Sequence, residues 1–206
     1  MPSDIVQGDK TGDIPLSEIV KLYLKKKYNK PGEAFIGVIH RLDRPLSGAV
    51  IFAKTSKGLS RMNQLIREGD LSKTYWAVVE NIPKETSGKL THYLRKNQKQ
   101  NKSYVVKSGT KDAKKAELLY EHISSGTKYH LLEIKLLTGR HHQIRVQLAS
   151  MGCVIKGDLK YGAKRSNPDG SISLHARKIT FLHPIKKDKI KIVAPVPKDN
   201  IWDIFL

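Results

Sequence analysis

Apolar residues in this chain come in short runs rich in β-branched and aromatic side chains, and that pattern most constrains the fold. Ala49-Val50-Ile51-Phe52-Ala53 is one such run, and Thr74-Tyr75-Trp76-Ala77-Val78-Val79 is another. Residues 116–123 and 128–137 form two more, joined at Ser124-Ser125-Gly126-Thr127 in a hairpin signal. Residues 171–182 and 189–194 read as closing strands. The tyrosine strand has two faces, Tyr75/Ala77/Val79 and Thr74/Trp76/Val78. Most neighbouring runs are close enough to pair antiparallel. Helical spacing appears three times: Leu16, Ile19, Val20, Tyr23 and Leu24, with Ser17 as N-cap; Leu59, Met62, Leu65 and Ile66, capped by Ser56 and ended by Gly69; and His142 to Met151, stopped by Gly152. Residues 1–15 read as an extended lead-in. The expected class is α+β, a large mixed, mostly antiparallel sheet with flanking helices, in one domain over residues 1–206.

Charge narrows the partners. Against 38 Lys and Arg there are only 19 Asp and Glu, a formal net charge of +19. Such a surface attracts polyanions. The basic residues cluster between Arg95 and Lys115, around Lys156 to Arg165, and at Lys186 to Lys191. Any one cluster alone reads as a solvated face or mobile loop; together they favour a polyanion partner, with RNA, DNA and anionic membrane the main candidates. No apolar run approaches ~18 residues, which argues against membrane insertion. The single cysteine, Cys153, excludes an internal disulfide and suits a reducing cytoplasm.

Three segments concentrate unusual polar residues. In His40-Arg41-Leu42-Asp43-Arg44-Pro45-Leu46-Ser47-Gly48 a carboxylate stands between two guanidinium groups. Arg41 and Arg44 would keep Asp43 ionised as a nucleophile or base; the alternative is a loop aspartate capping its own turn. In Lys73-Thr74-Tyr75, Tyr75 would stack on a base or pack in the core. In Thr138-Gly139-Arg140-His141-His142-Gln143-Ile144-Arg145, Arg145 lies beside an apolar helical stripe and needs either a buried acceptor, Asp43 being one candidate, or an exit to solvent or phosphate. His141 and His142 are adjacent, so they should point to different faces and make no paired metal site. Asp158, among glycines, reads as a turn aspartate.

These residues resemble the RluA family of RNA pseudouridine synthases. His40 to Lys54 looks like its catalytic-aspartate motif, Lys73 to Val79 its tyrosine strand, Leu137 to Gly162 its arginine helix and following Gly-Asp-Leu-Lys-Tyr-Gly loop, and Leu174 to Pro184 its closing strand. The resemblance implies isomerisation of specific uridines in tRNA or rRNA without cofactor or metal. Asp43 would be the catalytic carboxylate, Tyr75 the residue that stacks on uracil and takes part in proton removal from C5, and Arg145 the partner of the aspartate. Arg41, Arg44, Lys73, Arg140 and His142 would bind RNA, with Arg41 helping to displace the flipped nucleotide. A cytoplasmic monomer with no obligatory protein partner is implied. The chain departs from the family at Leu46-Ser47-Gly48, where Thr-Ser-Gly is usual, and at Val146-Gln147, where Val-His is usual. No strand pair ending in Lys-Pro-x-Gly precedes Asp4, so the usual N-terminal strands, and an appended RNA-binding domain, are expected to be missing. The alternative is a non-catalytic RNA-binding or RNA-chaperone protein on the same scaffold. A DNA-binding protein has only the charge in its favour.

Overall fold

The computed structural model describes residues 5–8 and 12–206; part of the lead-in, Asp4 included, lies outside them. An eight-stranded sheet organises the rest. In chain order its strands are β2 (Ser47–Gly48), β4 (Ser72–Val79), β5 (Ser87–Asn97), β6 (Lys102–Val106), β7 (Lys114–Ser125), β8 (His130–Leu136), β9 (Leu174–Leu182) and β10 (Lys189–Val193). The spatial order is β10-β9-β4-β8-β7-β5-β6, all antiparallel, and β2 adds to β9 in parallel. A small ribbon of β1 (Gly37–Val38) and β3 (Phe52–Ala53) lies apart from it. The mixed, mostly antiparallel class expected from the sequence is therefore what forms.

The two faces of β4 pack as its alternation requires. Tyr75, Ala77 and Val79 join a core with Ile144 and Leu148 of α3 (Gln143–Ser150), while Val78 and Trp76 pack with Ile201 and Trp202 of the short α4 (Asn200–Asp203). A third core joins Met62, Leu59 and Leu65 of α2 (Ser56–Glu68) to Ile179 and Phe181 of β9. The first helix, α1 (Leu16–Lys27), is mostly exposed.

Several local expectations change. Ser17 is inside α1, and Pro15 holds the cap position. Thr55 rather than Ser56 caps α2, its hydroxyl accepting the Gly58 N–H at 3.0 Å. The run Ala49–Ala53 is not one strand: Ala49 hands its N–H to Ala176 of β9, and pairing with β1 resumes only at Phe52. Residues 87–106, part of which read as a solvated basic run, form the β5–β6 hairpin instead. Its inward faces are carried by Leu90, His92 and Leu94, an alternation masked by the inward histidine and the outward Tyr93.

The register between β4 and β9 slips once: Thr74 faces Lys178, but Trp76 faces His175. Ala176 and Arg177 together oppose Tyr75, so β9 carries a bulge there. Beyond it β9 pairs with β10; before it, the same edge takes β2. Gly48 makes that parallel pairing possible. Its φ is 122°, and a Cβ at this position would lie 2.5 Å from the Ala176 backbone nitrogen.

Candidate active site

A cavity of about 840 Å³ opens above β4 and α3 and is lined by all three polar segments, Asp43, Tyr75 and Arg145 among them. Each arrives from a different element. Asp43 sits on the loop that β2 ties to the sheet; its backbone C=O accepts the Leu46 N–H. Tyr75 points up from β4, opposite the bulge, and is buried. Arg145 comes from the first turn of α3 and is 5 % exposed.

Arg145 satisfies the requirement for a buried acceptor, but with a different partner from the one expected. Its Nε donates to Asp158 Oδ2 and its Nη2 to Asp158 Oδ1, both at 2.7 Å. This is the bidentate fork that guanidinium and carboxylate form best. Asp43 Oδ2 lies 3.5 Å from the remaining Nη1. Asp158 is thus no simple turn aspartate. Its carboxylate is buried, and Gly157 before it has φ of 86° with no room for a side chain against Asn167. Spacing alone could not reveal this, because Asp158 is thirteen residues from Arg145 across an irregular loop.

The electrostatics of Asp43 also run against the first expectation. Burial raises its pKa, and that outweighs the opposing pull of Arg145 and Arg41; Asp158 adds a further upward push. Arg44 takes no part. It turns outward to Asp13, 2.7 Å away, because the turn after Asp43 reverses the chain. Tyr75 is pushed far above the usual tyrosine range by burial and by the negative charge of Asp43, so it is a neutral phenol. Arg145 remains a cation: burial opposes its charge, but the bonds to Asp158 and the field of both carboxylates hold its pKa above the usual value.

His142 differs most from its expected part in RNA contact. It is 7 % exposed and caps α3 in a left-handed conformation, φ 52°. That kink brings its ring onto His141, centroids 3.8 Å apart, where adjacent residues of a regular helix would diverge. Burial and the cations Arg145 and Lys160 push its pKa down to about 2, so it presents no charge to a phosphate. Its Nε2 lies 3.7 Å from Asp43 Oδ2, and its Nδ1 lies 3.0 Å from the Tyr161 hydroxyl. Tyr161, in the 3₁₀ turn Leu159–Tyr161, was not singled out in the sequence; neither was Ser103, whose backbone N–H it accepts at 2.9 Å. A Tyr within three residues of Asp158 in a Gly-bounded loop was the one available signal.

Arg41, Lys73 and Arg140 line the same cavity. Arg41 and Arg140 are exposed; Lys73 is partly buried, which lowers its pKa. Arg140 is steadied by donating from Nε to the Lys115 carbonyl at 2.9 Å. His40, also at the cavity wall, accepts the Ile51 N–H and is neutral, its pKa lowered to about 4 by burial and by Lys73. Leu46, where the resembling family has threonine, is buried in the core. Gln147, in place of histidine, donates to His92 and to the Leu90 and Ala116 carbonyls, fastening α3 to β5 and β7. Among the described residues no cluster of side chains could hold a metal ion, and no helix is long and apolar enough to cross a membrane.

Comparison with known proteins bears on this arrangement. A family model for RNA pseudouridylate synthase matches residues 5–150. An uncharacterized RNA pseudouridine synthase of Synechocystis is 33% identical over 167 residues, 78% of this chain and 50% of that protein. A ribosomal large subunit pseudouridine synthase C of Buchnera aphidicola is 32% identical over 186 residues, 86% of this chain and 57% of that protein. The chain spans about half the length of these curated relatives. The solved structure of human RNA pseudouridylate synthase domain containing 4 superposes with a TM-score of 0.75 at 22% identity, covering 95% of this chain and 89% of that one, which supports the fold. With the family model covering most of its length, the chain belongs to the RNA pseudouridylate synthase family, as its RluA-like motifs implied.

Proposed function

We propose that this protein isomerises uridine to pseudouridine in RNA, with Asp43 as the catalytic carboxylate. The observation that carries the proposal is the convergence of Asp43, Tyr75 and Arg145 on one cavity from three distant parts of the chain. The reaction breaks the bond between uracil N1 and ribose C1′, turns the base, joins C5 to C1′ and releases the C5 proton. Nothing is oxidised or reduced, so no redox cofactor is called for. The sugar passes through an electron-poor state that a desolvated carboxylate traps or deprotonates. Asp43, partly buried and held near Arg145, fits that part. Tyr75 stacks on the base and offers a hydrogen bond. Its strongly raised pKa argues that the phenol stays protonated rather than removing the C5 proton as phenolate.

The target base must leave its stack to reach the cavity floor. Arg41, Lys73 and Arg140 are placed to hold phosphate or the vacated position meanwhile. The Buchnera relative's name favours ribosomal RNA of the large subunit over tRNA as the substrate. We further propose that the protein works as a monomer in the cytoplasm without a protein partner.

The test is release of tritium from C5 of uridine in large-subunit ribosomal RNA transcribed in vitro. Wild-type protein is expected to release it, and Asp43→Asn to abolish release while RNA binding persists. Continued turnover by that variant would overturn the assignment of Asp43. Tight RNA binding by wild type with no release from any cellular RNA would favour the binding-only alternative.

A further inference from the structure

Arg145 gives its two best donors to Asp158, which leaves Asp43 with one long contact at 3.5 Å. A carboxylate in that position needs another donor to fix its orientation. The nearest is His142, whose Nε2 is 3.7 Å from the same oxygen. Which proton that nitrogen carries is set at the far side of the ring. There the Tyr161 hydroxyl accepts the Ser103 N–H at 2.9 Å and has a single proton to give, either to His142 Nδ1 at 3.0 Å or to the Ser103 carbonyl at 3.2 Å. Giving it to Nδ1 puts the imidazole proton on Nε2, facing Asp43. The other tautomer would set a bare nitrogen lone pair against a carboxylate.

We infer that Tyr161 and His142 are positioning residues, forming a neutral hydrogen-bond relay from the backbone of Ser103 through Tyr161 and His142 to the carboxylate of Asp43. The relay rests on the proposed role of Asp43, but its geometry does not. Its remaining supports are buried or hydrogen-bonded. Ser103 is buried in β6 of the β5–β6 hairpin, and its hydroxyl donates to the His141 carbonyl at 2.8 Å. The Tyr161 ring lies beneath the Arg145 guanidinium, 5.1 Å from its centroid. The left-handed backbone at residue 142 turns the imidazole toward Asp43 and away from solvent. At 3.7 Å the last link is longer than a hydrogen bond, so the relay requires the His142 ring and Asp43 to close on each other when substrate fills the cavity.

The relay has a consequence for the pH profile. Six groups face the Asp43 carboxylate: Arg145 and His142 from α3 and its cap, Arg41 from the same loop, Asp158 and Tyr161 from the loop after α3, and Tyr75 from β4. Asp43 has its pKa raised, and His142 is already neutral above about 2. Removing the relay's donor withdraws a hydrogen bond from the ionised form, so the acid limb of kcat moves to higher pH.

Two experiments test this. In the wild-type protein, nitrogen-15 NMR of the His142 ring should find the proton on Nε2; a proton on Nδ1 overturns the relay, whatever the activity. For tritium release from large-subunit ribosomal RNA, Tyr161→Phe should lower kcat about tenfold at nearly unchanged KM and raise the acid limb. His142→Asn, which suits the left-handed backbone but is too short to bridge, should do the same more strongly. Unchanged kcat and acid limb in folded Tyr161→Phe overturns the relay. If that variant fails to fold, the NMR result decides alone. An inactive wild type with the Nε2 proton in place would sink the enzymatic reading and leave the relay standing.

Discussion

Asp43 and Asp158 share one guanidinium, and changing each to asparagine should shift stability in opposite directions. At position 158 the carboxylate is 1 % exposed and accepts two bonds of 2.7 Å from Arg145. Asparagine keeps the shape but turns an NH2 toward an N–H of Arg145 and removes the neutralising charge. Removing one partner of a buried pair costs about 3–5 kcal/mol. Arg145 can recover part of this by closing the 3.5 Å gap to Asp43, so the lower end applies. At roughly 2–4 °C per kcal/mol for a chain of this size, Asp158→Asn should melt about 6–12 °C lower. Asp43→Asn should do the reverse, because burial outweighs the attraction of Arg145 and Arg41 and the ionised form is strained in the fold. The sign follows from linkage. With its folded pKa raised above the ordinary 3.8, the native state binds the proton more readily, so stability falls as pH rises from about 3.8 through the folded pKa. Asp43→Asn therefore gains stability at neutral pH, and the gain vanishes below about 3.8. Thermal melts by circular dichroism at neutral and acid pH measure both. An Asp158→Asn protein within about 1 kcal/mol of wild type, or an Asp43→Asn protein less stable at neutral pH, would refute the division of roles between the two carboxylates.

Other consequences are equally direct. Tyr75→Phe should preserve RNA affinity and lose only the hydroxyl's share of turnover, about tenfold, because stacking needs the ring alone; loss of binding would contradict this. Arg44→Ala should leave turnover unchanged, since that guanidinium faces Asp13 outside the cavity, whereas Arg41→Ala should weaken it; single-turnover tritium release separates the two. Gly48→Ala should destabilise by at least about 2 kcal/mol, read by urea unfolding, because its Cβ would meet the Ala176 backbone at 2.5 Å and φ is positive. RNA affinity should drop at least roughly a hundredfold between about 50 and about 200 mM salt, and a flat response in filter binding would remove the case for phosphate contacts.

Much of this was legible before the structure. Alternation in residues 74–79 assigned both faces of β4 correctly, since each apolar residue there has a neighbour of the opposite fate. The meeting of Asp43, Tyr75 and Arg145 was legible through the order and wording of the motifs rather than through spacing. Asp158, Tyr161 and Ser103 were not, because their roles depend on where an irregular loop and a distant hairpin come to rest. The hairpin was missed for a compositional reason: in Lys89-Leu90-Thr91-His92-Tyr93-Leu94-Arg95 the inward set includes a histidine and the outward set a tyrosine, which hides the period. His142 was misread because a left-handed residue at a helix cap breaks the geometry from which side-chain directions are inferred.

The bulge in β9 has a consequence for how this chain tolerates length changes. Ala176 and Arg177 jointly span one residue of β4, and on either side of them the strand's outer edge changes partner from β2 to β10. Deleting either residue would leave one residue opposite Tyr75 and make the β4–β9 ladder continuous. Side chains on both halves would keep their faces, since Lys178 and His175 already lie opposite Thr74 and Trp76, but the bend and extra twist of the bulge would be lost. His175, which meets Ser47 at 2.8 Å, lies beside this bend, so straightening β9 would displace the β2 contact that anchors the loop carrying Asp43. One surplus residue thus works as a built-in bend at the point where the strand's edge changes partner, and the position of the carboxylate depends on that bend being kept.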